Sequence, residues 1–430
     1  MTASLIGFAV LLFICFLGFP LGFAMVIVGF VGFGLVRGFE PAVATVGTEI
    51  LDFSMSYSFS ALPLFILMGA FVYRAQLAED MYDTANAWLG HYRGGLAMAT
   101  VAACGGFAAV SGSSVATAAT MAKVALPQMR RFGYADHLAA GSIAAGGTIG
   151  ILIPPSIALI IYGILTESDI GKLFIAGIVP GILTVALYIL VIRITTALNP
   201  EIGPPGPKVN WLGRFKSLGK IWGIVLLFVF ILGGIYIGIF TPSEAGGIGA
   251  VGALAFAIFR RKMSWSIFVE SLIEAGRTTV LVFSVAYGAI IFSNFINIAG
   301  MPDAIVVFVN ELDIAPIGVL LTILAIYILL GTVFEGIGMI LLTVPIFYPI
   351  VENLGFDLIW FGIVVIMVTE ISLITPPVGM NVFVLKSMLP DVSLWTIFRG
   401  IGPFFAADIV RLGLVVFFPP IALWLPSLMQ

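Results

Sequence analysis

The stretches GILIPPSIAL (150–159) and SLITPPVGMN (372–381) each place two adjacent prolines inside an apolar run. Proline has no N–H to give to the carbonyl four residues back, and its ring pushes that carbonyl aside. Pro154 and Pro155 are therefore expected to free the carbonyls of Gly150 and Ile151, and Pro376 and Pro377 those of Ser372 and Leu373. A bare carbonyl in hydrocarbon costs several kcal/mol, so something must meet it. A desolvated Na⁺ is a natural partner, because it is hard and takes several oxygens at once. Interrupted helices also carry about half a unit of charge at their ends, negative at the C-terminus and positive at the N-terminus. The first suits a cation, the second a carboxylate.

Two other stretches supply oxygen. VSGSSVAT (110–117) gathers Ser111, Ser113, Ser114 and Thr117, and LGTVFEGIG (330–338) holds Thr332 and Glu335 among Gly331, Gly336 and Gly338. Glycine lets backbone approach an ion or a neighbouring helix. Small and hydroxylated residues also serve plain helix packing in membranes, and Ser114 or Thr120 alone fits that use. Polar tip plus broken helix, present twice, favours ion binding. Glu335 is the one carboxylate expected at membrane depth in a tip, a functional position unless it only bonds to neighbouring backbone. Lys123 is expected to snorkel, and Arg411 to pair with Asp408 three residues before it; neither is given a transport role.

These pieces need a scaffold, and the chain supplies it twice. The offset between the double prolines, 376 − 154 = 222, also carries Pro127 and Gly133 onto Pro349 and Gly355, Pro20 onto Pro242, and Asp169 onto Asp391. With one inserted residue, Gly177 and Pro180 fall on Gly400 and Pro403. The chain therefore reads as two repeats, 1–198 and 221–418 with a tail to 430, joined by the Pro/Gly-rich basic linker 199–220. Within them, scaffold helices occupy 1–92 and 221–311, and a hairpin with a broken helix occupies 93–170 and 312–390.

Of the 430 residues, 61% are hydrophobic and 10% charged, with mean hydropathy +1.18. That composition means an integral membrane protein, and the long apolar runs mean helical spans and not an alternating β-barrel. A net charge of −3 offers nothing to nucleic acid. Cys15 and Cys104 read as small buried residues; His91 and His137 lack ligand spacing. No P-loop, HExxH or GxSxG is present, and a membrane enzyme would have only Glu335 to work with. Lys208, Arg214, Lys216 and Lys220 put the linker in the cytoplasm, with Arg260, Arg261 and Lys262 beside it. Block 95–129 has His91 and Arg93 before it and Arg130 and Arg131 after it, so both ends lie inside. Block 314–351 has Glu311 and Asp313 before it and Glu352 and Asp357 after it, so both ends lie outside. Each is too long for one span and tight for two, hence a re-entrant hairpin. The expected fold is an all-α polytopic membrane protein of two inverted-topology repeats, with re-entrant hairpins, Pro-broken helices and both termini outside.

AAVSGSSVATAATMAKVALPQMRRFGY, GGTIGILIPPS and ITPPVGMNVFV together resemble the large membrane subunit of tripartite ATP-independent periplasmic (TRAP) transporters, over essentially the whole chain. The resemblance implies a non-enzymatic, sodium-coupled carrier of the elevator type in the bacterial inner membrane. It implies a small four-helix membrane subunit, here expected to be a separate polypeptide, and a periplasmic substrate-binding protein. It implies one Na⁺ site at Ser111, Ser113, Gly150, Ile153 and Pro155. A second falls at Gly331, Thr332, Ser372, Thr375 and Pro377, with Gly379 and Met380 close by; Asn381 is a further candidate for ion or substrate binding. A small carboxylate, C4-dicarboxylate first and a sugar acid next, is the expected substrate. A stand-alone sodium–dicarboxylate or citrate carrier of the related inverted-repeat class is the alternative; those tend to show Ser-Asn-Thr at the tips, which neither tip here has.

Overall fold

The computed structural model describes residues 2–75, 77–311 and 314–429. Asp313, expected to mark the mouth of the second hairpin, lies outside them, as does the Glu311 side chain. The first repeat runs α1 (Thr2–Phe16), α2 (Leu21–Arg37), α3 (Phe39–Met55), α4 (Ala61–Arg74) and α5 (Leu77–Leu89). The pair α6 (Gly95–Ser111) and α7 (Ser114–Arg131) follows, then α8 (Asp136–Thr148), α9 (Ile157–Leu165) and α10 (Ile170–Leu198). The second repeat runs α11 (Trp211–Tyr236), α12 (Pro242–Phe259), α13 (Trp265–Ile298) and α14 (Met301–Glu311). Its hairpin is α15 (Pro316–Gly331) and α16 (Gly336–Asn353); α17 (Leu358–Ser372), α18 (Met380–Met388) and α19 (Leu394–Phe417) complete it. Among the described residues no strand occurs, and seven helices are long and apolar enough to cross a membrane.

Both double prolines end a helix. α8 stops at Thr148 and the chain resumes as helix at Ile157; α17 stops at Ser372 and resumes at Met380. The hairpin arms are short: α6 has 17 residues and α15 has 16. Both ends of the first hairpin are stitched to the linker, Gly94 N–H to the Gly203 carbonyl at 2.8 Å and Ala135 N–H to that of Ile202 at 3.0 Å. The hairpin thus leaves on the face where it began. Taking α1, α2, α4, α8 with α9, and α10 as its crossings, the first repeat crosses five times. That is an odd number, so the second repeat starts from the opposite face and is inverted.

The repeats interleave. α2 packs on α13 as α12 packs on α4; α9 lies on α16 as α18 lies on α7; α8 lies on α19 as α17 lies on α10. Glycines permit the tightest crossings: a methyl on Gly29 would stand 2.7 Å from the Phe292 nitrogen, and one on Gly141 2.4 Å from the Gly400 carbonyl oxygen. On the linker face, Lys220 pairs with Asp83 at 2.9 Å and Arg260 with Asp80, fastening α5 to α11 and α12. One expectation fails. The amphipathic stretch 264–276 and the span 278–298 form a single 34-residue helix, α13. Its threonines bond back within the helix, Thr278 to Glu274 and Thr279 to Ala275, so nothing interrupts it as Ser56 does between α3 and α4.

Candidate functional site

The first tip is a compact knot of oxygens. Gly112 turns the chain with φ +57°, a conformation glycine adopts freely. Ser113 then caps α7, its Oγ accepting from Ala116 N–H at 3.3 Å. The Thr117 hydroxyl donates to the Ser113 carbonyl at 2.8 Å and lies 2.6 Å from the Ser111 hydroxyl. This knot faces the break between α8 and α9: a methyl on Gly150 would meet the Ser113 carbonyl oxygen at 2.9 Å and Thr117 Oγ at 3.0 Å. Ser111, Ser113 and Gly150 are therefore brought together. The Ile153 side chain leans on Gly181 of α10, which leaves its backbone as the part available to an ion. Pro154 and Pro155 are both buried. Thr117, absent from the expected ligand set, is fully buried at the centre of the knot; its signal was its place one turn beyond Ser113.

The second tip meets its own break at a different pair. A methyl on Gly331 would stand 2.0 Å from Ser372 Oγ, so these two touch as expected. The hydroxyls of Thr332, Ser372 and Thr375 each donate to a carbonyl of their own segment: Leu329 at 2.8 Å, Thr369 at 2.6 Å and Ile371 at 2.6 Å. Gly379, at φ +62°, lies beside the Thr375 carbonyl, and Met380 packs partly buried next to it. Pro376 and Pro377 are exposed.

One reading changes, and two further residues find their places. Of the four carbonyls expected to be stranded, three have protein donors. Ile151 accepts from the Ser156 hydroxyl at 2.5 Å, Ser372 from Thr375 N–H at 3.1 Å and Leu373 from Asn381 N–H at 3.2 Å. Of these four, the Gly150 carbonyl alone has no donor among the described residues; a bonded carbonyl keeps a second lone pair for a cation. Asn381 serves both halves: its N–H covers the Leu373 carbonyl, and its fully buried side chain reaches the first tip, donating to Ser114 Oγ at 2.7 Å and to the Ala144 carbonyl at 3.2 Å. Interleaving of the repeats carries α18 across to α7. Glu335 caps α16, one carboxylate oxygen accepting from Gly338 N–H at 3.0 Å. It opens onto a cavity of about 310 Å³ lined by Leu12, Phe16, Phe19 and Val285, away from the contact between Gly331 and Ser372.

A second carboxylate lies deeper. Glu370, in the last turn of α17, is fully buried and pairs with Arg411 of α19 at 2.9 Å. Arg411 also pairs with Asp408 at 3.1 Å, as the sequence led us to expect. Glu370 was missed, although an acidic residue two positions before Ser372 in an otherwise apolar helix was its visible mark.

A polytopic helical bundle with two hairpins set against two broken helices is the architecture of a secondary transporter. A solved structure with this fold, the Alcanivorax borkumensis YdaH transporter described as having an unusual topology, aligns at TM-score 0.64. It is 12% identical, covering 91% of this chain and 89% of that one. Residues 6–421 match the family model for the tripartite ATP-independent periplasmic transporter, DctM component. The chain is 39% identical to the C4-dicarboxylate TRAP transporter large permease protein DctM of Pseudomonas aeruginosa, over 90% of this chain and 91% of that one. It is 32% identical to the ectoine/5-hydroxyectoine large permease UehC of Ruegeria pomeroyi, over 98% of each. It is 31% identical to the sialic acid large permease SiaM of Vibrio cholerae, over 100% of this chain and 99% of that one. The chain belongs to the DctM family of TRAP transporter large permeases; it is a transport protein and not an enzyme.

Proposed function

We propose that this permease drives sodium-coupled uptake of a small organic acid across a bacterial inner membrane. In this reading the periplasmic binding protein delivers the solute and a separate small membrane subunit completes the complex. The observation that carries it is the duplicated contact of tip on break: Ser113 and Thr117 against Gly150, and Gly331 against Ser372. The first contact offers carbonyl and hydroxyl oxygen and the second the Ser372 hydroxyl, with no charged side chain at either, and uncharged oxygen suits a weakly bound, exchangeable alkali ion. A cavity of about 690 Å³ supports the same reading. Its walls carry Glu49, Asp52 and Glu167 with no basic residue, and it lies on the face opposite the linker, where it concentrates cations. Each sodium moving down 100 mV contributes about 2.3 kcal/mol, so two would support strong accumulation.

The named relatives carry solutes as unlike as dicarboxylates, ectoine and sialic acid. In this reading the binding protein selects the solute, and a C4-dicarboxylate is the first to test. Proteoliposomes holding this chain and its small subunit, with the loaded binding protein outside, should accumulate succinate under an inward sodium gradient. Uptake that is indifferent to sodium would overturn the coupling, and uptake by this chain alone would overturn the partnership.

A further inference from the structure

The structure holds a polar chain that the transport reading does not use. Thr148, the last residue of α8, lies 3.5 Å from the Tyr188 hydroxyl on α10. Tyr188 donates to Asp408 at 2.7 Å, Asp408 pairs with Arg411 at 3.1 Å, and Arg411 with Glu370 at 2.9 Å. Arg411 also donates to Thr184. All five members of the chain are 0% exposed.

Its ends and its middle obey the repeat. Glu370 is the counterpart of Thr148, 370 − 148 = 222, and Arg411 that of Tyr188, 411 − 188 = 223, the offset after the inserted residue. The contact of Thr148 with Tyr188 in one half is thus replaced by that of Glu370 with Arg411 in the other, and Asp408 joins the two. The chain begins two residues before Gly150 and ends two residues before Ser372. It joins one interrupted helix to the other, its weakest step the 3.5 Å contact of Thr148 with Tyr188, since each of those hydroxyls gives its proton elsewhere, to the Ala145 carbonyl and to Asp408. No solvent enters it, and a planar, permanently charged guanidinium gives its centre fixed geometry.

We propose that Thr148, Tyr188, Asp408, Arg411 and Glu370 are positioning residues that couple the two candidate ion sites. An ion drawing the Gly150 carbonyl inward shifts the end of α8. The buried chain passes that shift to the end of α17, where Ser372 is set for the second ion. By linkage the effect is reciprocal. Removing a link uncouples the sites without removing a ligand. The inference rests on the sodium reading above.

The test is the sodium dependence of uptake in the reconstituted complex, comparing the parent with Tyr188→Phe and Thr148→Val. Thr148→Val is isosteric and leaves every partner of Asp408 in place. The parent should respond to sodium with a Hill coefficient near two. Both variants should fall toward one, with half-saturating sodium raised several-fold and Tm in sodium-free buffer little changed for Thr148→Val. A parent with no sodium response overturns the sodium reading itself. A cooperative parent whose Thr148→Val variant is equally cooperative overturns only the coupling, and so does a parent coefficient of one. A fall in Tm with unchanged cooperativity assigns the chain to structure alone.

Discussion

The two tip-and-break sites descend from one plan and differ in how far the protein finishes them. At the first, both prolines are buried, the Ser113 carbonyl and the Thr117 hydroxyl face Gly150, and Ser156 reaches back to the Ile151 carbonyl. At the second, the prolines are exposed and the place of Ser156 is taken by Val378, which has no hydroxyl. There the carboxylate at the tip caps a helix beside an open cavity. The first break is the more braced by hydrogen bonds from neighbouring hydroxyls; the second is the more open at its prolines. A desolvated cation binds a pre-set cage at little reorganisation cost, so the first site should fill first. The second should close when solute and ion arrive together.

The largest effect should come from Gly150→Ala. Its new methyl would press on a backbone oxygen and a buried hydroxyl that cannot swing away. Overpacking of this kind costs about 1–3 kcal/mol of stability, and the displaced Ser113 carbonyl should weaken sodium affinity as well; a melt reads the first and a sodium titration of uptake the second. Near-parental affinity would remove the knot from ion binding.

Next is a pair at equivalent positions. Ser156→Ala leaves the buried Ile151 carbonyl without its donor and should destabilise by about 1–3 kcal/mol. Val378→Ser in the open site should stay within about 0.5 kcal/mol. Equal melting shifts would abolish the asymmetry. Ser113→Ala and Thr375→Ala should each raise half-saturating sodium without unfolding the protein. Unchanged titrations in both would move the ions elsewhere.

Glu335→Gln keeps an oxygen for Gly338 N–H, so the cap and Tm should survive while uptake drops several-fold. Uptake at the full rate would make Glu335 a cap only. The smallest effect lies at the linker face, where the Arg130 guanidinium, 2.7 Å away, holds the Asp391 carboxyl below its ordinary range. A lowered folded-state pKa adds stability above the unfolded value of roughly 4 and loses it only as pH falls through the lowered value. Asp391→Asn should therefore cost the same small Tm shift from about pH 6 to about pH 8, with the gap closing only in acid.

The sequence reveals most of this plan because punctuation survives in composition. Double prolines, glycines in the tips and a constant offset mark breaks, hairpins and repeats without any knowledge of contacts. What it conceals are contacts set by interleaving. Nothing local tells that Asn381 crosses to Ser114, or that Glu370 finds Arg411 on another helix. Arg411 and Asp408 were legible as a pair because they lie on one helix face; Glu370 was not, because its partner comes from packing. The stranded carbonyls were overcounted for the same reason: Ser156 and Asn381 fold back to cover two of them, and prolines alone cannot show that.

The central claim is that oxygen at the two breaks holds sodium. Thermal unfolding of the purified permease in sodium chloride against choline chloride at equal ionic strength tests it most directly. The account predicts a sodium-specific rise in Tm that saturates with concentration and is lost in Gly150→Ala. Identical melting in the two salts would contradict it.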